Sequence, residues 1–193
     1  MTRTRLEAFS DGVIAIIITI MVLELRIENP NDTSWHALGD EFGKRFAAYA
    51  MSFVFLGIYW VNHHHFMHAV DRVNGAILWA NVNLLFWLSL VPLTTSWWGP
   101  NMNQSLPTAV YGASLFMPAM AWTLLSVAII RAQGPNSKLK AIVGKDIKGK
   151  LSGLLYFLSI PLAFVHPYIS DAIFVGLGLV WVIPDRRVER HLK

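Results

Sequence analysis

The stretch Trp60-Val61-Asn62-His63-His64-His65-Phe66-Met67-His68 holds four of the chain's seven histidines. On a helix, His64 and His68 share a face at the spacing with which two imidazoles hold a transition metal. A di-iron membrane oxygenase would need more histidines spread over several segments, whereas His36, His166 and His191 are isolated. Neither a metal nor another cofactor is therefore expected, and the cluster reads better as a set of hydrogen-bonding groups or as residues placed at the membrane interface. Their natural partner is Asp11, in Arg5-Leu-Glu-Ala-Phe9-Ser10-Asp11. Asn81 and Asn83 are further polar residues in an otherwise apolar stretch. Cysteine is absent, which excludes disulfides and thiolate metal sites. No nucleophile–base pattern, P-loop or glycine-rich cofactor loop occurs, so an enzyme is not expected.

Membrane helices must position these groups. Of 193 residues, 54% are hydrophobic and only 15% charged, against about 25% charged in soluble domains. Eight Trp and eleven Phe suit a chain with aromatic belts at the membrane interfaces. Residues 46–70, 73–130, 151–170 and 172–184 carry no Asp, Glu, Lys or Arg. WWGPNMNQSLP (97–107) splits the second run with turn-forming residues. Six helices follow, at about 6–27, 46–69, 73–97, 107–131, 150–167 and 169–185, as one domain over residues 1–193. Pro92, Pro118 and Pro161 fall inside them as kinks that neighbouring helices can absorb. The first apolar segment ends in Leu23-Glu24-Leu25 without a small-residue cleavage site, so it reads as a retained helix and not a signal peptide.

Basic residues then orient the bundle. With a cytoplasmic N-terminus, thirteen of the sixteen Lys and Arg lie inside: Arg3, Arg5, Arg72, six in the 131–150 loop, Arg186, Arg187, Arg190 and Lys193. Arg26, Lys44 and Arg45 remain outside. That bias predicts both termini in the cytoplasm. The basic charge is topogenic and does not point to nucleic acid.

The first helix is the most informative element. Between Asp11 and Glu24 lie twelve uncharged residues. At about 1.5 Å each they span roughly 18 Å, short of a hydrocarbon core of about 30 Å. So short an apolar run between two carboxylates calls for protein or water around it, as in the lining of a pore. Ile16, Thr19, Ile20 and Leu23 share one face at i, i+3, i+4 and i+7. That face either packs within the subunit or meets copies of itself around an axis, where it would form a narrow apolar constriction. Thr19 either bonds its own i−4 carbonyl or offers an oxygen to an ion. At the polar end, Ser10 or Asp11 either caps the helix, with Arg5 outside it, or lies within a helix that starts near Arg5. In the second case both need partners, because unpaired polar groups at membrane depth are costly. The histidine stretch, Asn81 and Asn83 lie at the matching depth. Glu24 at the outer end would concentrate cations, with Arg26 as a neutralising neighbour.

Arg5-x-x-x-Phe9-Ser10-Asp11, followed by an Ile/Thr-rich helix ending in Leu23-Glu24-Leu25, resembles the signature of the transmembrane-protein-175 family of potassium channels. The histidine cluster and the asparagine-bearing third helix resemble it as well, and the likeness covers most of the chain. The resemblance implies an all-α membrane protein of six transmembrane helices, N-in and C-in, assembled as a homotetramer in the plasma-membrane bilayer. Eukaryotic lysosomal members carry two six-helix repeats, whereas this chain has one. It further implies a pore lined by four copies of the first helix, with no TVGYG filter. The family's aliphatic constriction falls on Ile16, further layers on Thr19, Ile20 and Leu23, and the threonine layer tied to potassium preference on Thr19. Arg5, Phe9, Ser10 and Asp11 would hold the pore helix through polar residues of helices 2 and 3, with His64 or His65, Asn81 and Asn83 as partners. The expected function is passive conduction of potassium and other monovalent cations. The competing expectations are a proton-coupled or proton-leaking transporter using Asp11 and the histidines, and a membrane metalloenzyme.

Overall fold

The computed structural model describes residues 2–26, 31, 34, 35, 39, 42–68, 70–134 and 146–182. Among them the regular structure is entirely helical. Helix α1 covers Arg3–Ile20 and continues as a 3-10 turn over Met21–Glu24. It is followed by α2 (Gly43–His68), α3 (Gly75–Ser89), α4 (Val91–Trp98), α5 (Ser105–Gln133), α6 (Ile147–Val165) and α7 (Pro167–Val182). Side chains set several of the starts by taking orphan N–H groups of the first turn. Thr2 accepts from the Arg5 N–H (3.4 Å), Asn74 from Ile77 (3.0 Å) and Asp146 from Gly149 (2.8 Å). Helix α5 ends at Gly134, whose φ of +81° suits glycine.

Four rods are long and apolar enough to cross a membrane: Arg3–Glu24, Gly75–Asn101, Ser105–Gln133 and Ile147–Val165. The second is α3 and α4 end to end, interrupted at Leu90. Pro92, at the start of α4, has no N–H for the carbonyl of Leu88, so the α-helical ladder lapses for one residue at Leu90, which keeps helical backbone angles (φ −87°, ψ −13°), and the rod runs on as one span with the proline inside it, as expected. Pro118 and Pro161 also lie inside α5 and α6. Lys138, Lys140, Lys145, Arg186, Arg187, Arg190 and Lys193, which carry much of the charge asymmetry, lie outside the described residues. So do His36, His191 and the expected helix end at 185.

The core has two parts that share α2, α4 and α5. One joins Leu6, Ile14 and Ile17 of α1 to Leu56 and Met67 of α2, to Ile77, Leu84 and Leu88 of α3, and to Leu125 and Ile129 of α5. The other joins Phe55 of α2, Trp98 of α4, Tyr111 and Leu115 of α5, Tyr156 of α6 and Phe174 of α7. Here Trp98 stacks on Tyr111 at 4.2 Å between ring centroids, and Phe174 meets Tyr111 edge-on at 5.3 Å. Gly112 allows α5 to sit this close: a Cβ there would lie 2.8 Å from Ser159 Oγ and 3.2 Å from the Phe174 ring. Helix α1 lies at the margin, against α2 and α3, so one of its sides has no cover among the described residues.

Candidate pore helix and its polar anchor

Leu6, Ser10, Ile14, Ile17 and Met21 are buried, at steps of four and three residues that mark one face of α1. Ile16, Ile20 and Leu23 are 60%, 46% and 66% exposed, and Thr19 is exposed with them. The stripe singled out in the sequence is therefore not packed within the subunit; it is the side that the chain leaves bare. Thr19 donates its hydroxyl hydrogen to the Ile16 carbonyl at 3.0 Å, one residue nearer than the expected i−4 partner. With the hydrogen committed, the oxygen's lone pairs remain available.

The helix starts at Arg3, so Ser10 and Asp11 lie within it rather than capping it. This corrects the length argument. Eighteen α-helical residues rise about 27 Å, and the four-residue 3-10 turn adds about 8 Å. The charge-free run is short, but the helix is not, because its polar residues are partnered inside it.

Two sets of contacts hold this polar end. The first is a buried chain of hydrogen bonds through residues with no exposed surface, His63, Asn81 and Ser10. Ser10 Oγ donates to the Leu6 carbonyl at 2.9 Å, and its lone pair accepts from Asn81 Nδ2 at 2.9 Å. Asn81 Oδ1 can then only accept, so His63 Nε2 donates to it, at 2.8 Å. The direction of the chain fixes His63 as the Nε2–H tautomer. The second set is a ladder between α1 and α2, which run antiparallel here. Trp60 Nε1 donates to Asp11 at 3.1 Å. His64 Nδ1 lies 2.9 Å and His68 Nε2 3.9 Å from Glu7 Oε1. Arg3 Nη1 donates to the His68 carbonyl at 3.2 Å. Arg3, Glu7 and Asp11 are spaced by four, as are Trp60, His64 and His68, so the two stripes face each other rung by rung.

Ser10 and Asn81 are thus joined, but the expected histidine partners are not the ones used. His63, not His64 or His65, reaches Asn81, because it lies on the buried face of α2 with Ser52, Leu56 and Met67. One residue further along, the 100° helical step turns His64 to the ladder, and His65, half-buried, stacks edge-on with the His64 ring. Asn83 is half-buried and makes no hydrogen bond among the described residues. The exposed Arg5 side chain likewise makes no hydrogen bond or ion pair there. Phe9, 51% exposed, borders an open groove with Val13 of α1 and Phe86 of α3. Glu24 is half-buried, and Arg26 bonds the Leu23 carbonyl at 3.4 Å instead of pairing with it. Sequence reasoning missed Glu7 and Trp60, which the spacing of four from Asp11 and His64 would have revealed.

A bundle with four rods apolar enough to cross a membrane, one of them fixed by polar contacts on one side and bare on the other, is that of a membrane protein. The chain matches the family described as endosomal/lysosomal potassium channel TMEM175 over residues 5–92, from Arg5 to the start of α4. A potassium channel of Chryseobacterium sp. strain P1-3 is 50% identical, covering 100% of this chain and 99% of that one. The endosomal/lysosomal proton channel TMEM175 of Homo sapiens is 30% identical over 64% of this chain, which spans 28% of that longer protein. The crystal structure of a TMEM175 homolog from Chamaesiphon minutus superposes with a TM-score of 0.80 at 24% identity, covering 94% of this chain and 96% of that one. The chain belongs to the TMEM175 family.

Proposed function

We propose that the chain is a cation channel that conducts potassium in preference to sodium, through a pore lined by α1 in a homotetramer. The observation that carries this reading is the bare stripe of Ile16, Thr19, Ile20 and Leu23, opposite a face of α1 that is buried and hydrogen-bonded within the subunit. Four such stripes around an axis would place Ile16 in an aliphatic ring. An aliphatic ring offers no ligand to an ion, so it acts through width and wetting. The Thr19 oxygens, with their hydrogens committed to Ile16, would present lone pairs one turn beyond. Glu24, without an ion pair to Arg26, would form an acidic rim that raises the local cation concentration. The chain forms one channel domain of six membrane spans in the plasma membrane, with both termini cytoplasmic.

The test is potassium and sodium flux in proteoliposomes, wild type against Ile16→Asn. Wild type should pass potassium faster than sodium, and Ile16→Asn should raise flux and weaken the preference. Unchanged flux in Ile16→Asn would remove the constriction from Ile16. A proton-conducting reading draws on the ladder of Glu7, Asp11, His64 and His68 and on the name of the human relative. Proton flux that persists without potassium, and falls in Asp11→Asn, would favour it.

A further inference from the structure

We infer that Glu7, His64 and His68 form a binding site for a divalent transition-metal ion, zinc being the best match, between α1 and α2. His64 Nε2 and His68 Nε2 lie 3.3 Å apart. Tetrahedral zinc with Zn–N bonds of about 2.0–2.1 Å sets neighbouring nitrogens about 3.3–3.4 Å apart, so the two rings already stand at chelating separation. At that distance one nitrogen must carry a hydrogen directed at the other, or two lone pairs repel; a metal ion between them relieves the same conflict.

The tautomer is also set. Glu7 Oε1 lies 2.9 Å from His64 Nδ1, so the carboxylate takes the Nδ1–H and leaves the Nε2 lone pair for the ion. A carboxylate holding the far nitrogen of a ligating histidine is the usual support of such sites. The Glu7 carboxylate, with all three groups within 4.8 Å of one another, brings a negative charge beside the two nitrogens and holds His64 from the far side of its ring, which leaves the remaining coordination positions to water. The C-terminal carbonyl end of α2 adds a favourable partial charge. Arg3 opposes it, but its guanidinium is directed at the His68 carbonyl and not at the rings. The His64 and His68 side chains are 46% and 41% exposed, so an ion reaches them from water, while Glu7, at 14%, is held by the fold. The His64–His68 pair discounted on spacing alone thus gains a carboxylate from another helix. An ion here would bridge α1 and α2 at the top of their ladder, whatever the permeant ion.

The test is isothermal titration of zinc into the full-length, tag-free protein in detergent, with cobalt absorption as a second readout. Wild type should bind one zinc per chain, and cobalt should give the intense visible bands of tetrahedral coordination. His68→Ala, which truncates an exposed side chain, should lose at least tenfold in affinity. Glu7→Gln, which keeps shape and loses charge, should lose about 10–100-fold. His166→Ala, distant from the cluster in sequence and fold, should bind as wild type. No zinc binding by wild type at high micromolar concentration, or wild-type affinity in His68→Ala, would overturn the site.

Discussion

Asn81 is the middle link between the first three helices' polar groups, so its replacement tests the anchor most directly. Asn81→Ala removes two interhelical bonds, to His63 Nε2 (2.8 Å) and to Ser10 Oγ (2.9 Å). Such bonds in membrane proteins average about 0.6 kcal/mol and reach about 1.7. The substitution also strands the buried His63 Nε2–H, an orphan donor costing about 1–3 kcal/mol. Together these give a destabilisation of about 2–4 kcal/mol. For a chain of this size that corresponds to a fall in Tm of about 4–16 °C. Asn83→Ala, two residues on and without a hydrogen bond, should stay within about 0.5 kcal/mol of wild type. Thermal unfolding followed by fluorescence-detected size exclusion separates the two. The cycle with Ser10→Ala isolates the pair and should return a coupling of about 0.6–1.7 kcal/mol. Equal stability of Asn81→Ala and Asn83→Ala, or an additive cycle, would refute the anchor.

Further outcomes follow from the same geometry. Thr19→Val keeps the shape and removes the oxygen, so the potassium-over-sodium preference should fall in bi-ionic reversal potentials; an unchanged potential would exclude a Thr19 oxygen layer. Glu24→Gln should lower potassium conductance at low ionic strength and converge with wild type at about 1 M salt, where the Debye length is about 3 Å. Gly112→Ala places a Cβ 2.8 Å from Ser159 Oγ and should lower thermal stability by about 1–3 kcal/mol, whereas Gly176→Ala, which meets nothing within 4 Å, should not.

Charge-free runs were enough to locate the helices, because burying charge in lipid is costly enough to write itself into composition. They located ends less well, since a partnered polar residue need not end a helix. Ser10 and Asp11 look like a boundary and lie seven and eight residues inside α1. Pro92 interrupts the α-helical ladder at Leu90 without ending the rod, because Leu90 keeps helical backbone angles and its N–H turns to the Leu88 and Trp87 carbonyls. The exposed stripe was legible from a spacing of three and four, but whether it packed internally was not: periodicity gives a face without naming what covers it. The histidine run hid its own partner. Three consecutive imidazoles are alike in composition, and only the phase set by Ser52, Leu56 and Met67 turns His63 inward.

The same degeneracy explains why α1 needs its polar end. Residues 14–20 read Ile-Ala-Ile-Ile-Ile-Thr-Ile. Turning the helix by one residue would replace Ile16 with Ile17 on the bare face, a change that costs little apolar transfer energy, since lipid and protein neighbours are equally apolar, and that only the close fit of Ile14, Ile17 and Met21 opposes. Hydrophobic packing thus holds α1 in the bundle and sets its rotation by shape alone, among side chains that are nearly all isoleucine. The contacts that distinguish one rotation from the next by chemistry are Ser10 with Asn81, Asp11 with Trp60 and Glu7 with His64. Each lies one turn or more from Ile16, and together they fix α1 against two different helices, α2 and α3. Two attachments in different directions define an angle where one would leave a pivot. If Ile16 sets the pore width, the isoleucine that faces the axis is chosen by hydrogen bonds at the other end of its own helix. Ser10→Ala with Asp11→Ala should then impair ion preference with Ile16 and Thr19 intact. Wild-type selectivity in that double variant would show that the helix keeps its rotation by packing alone.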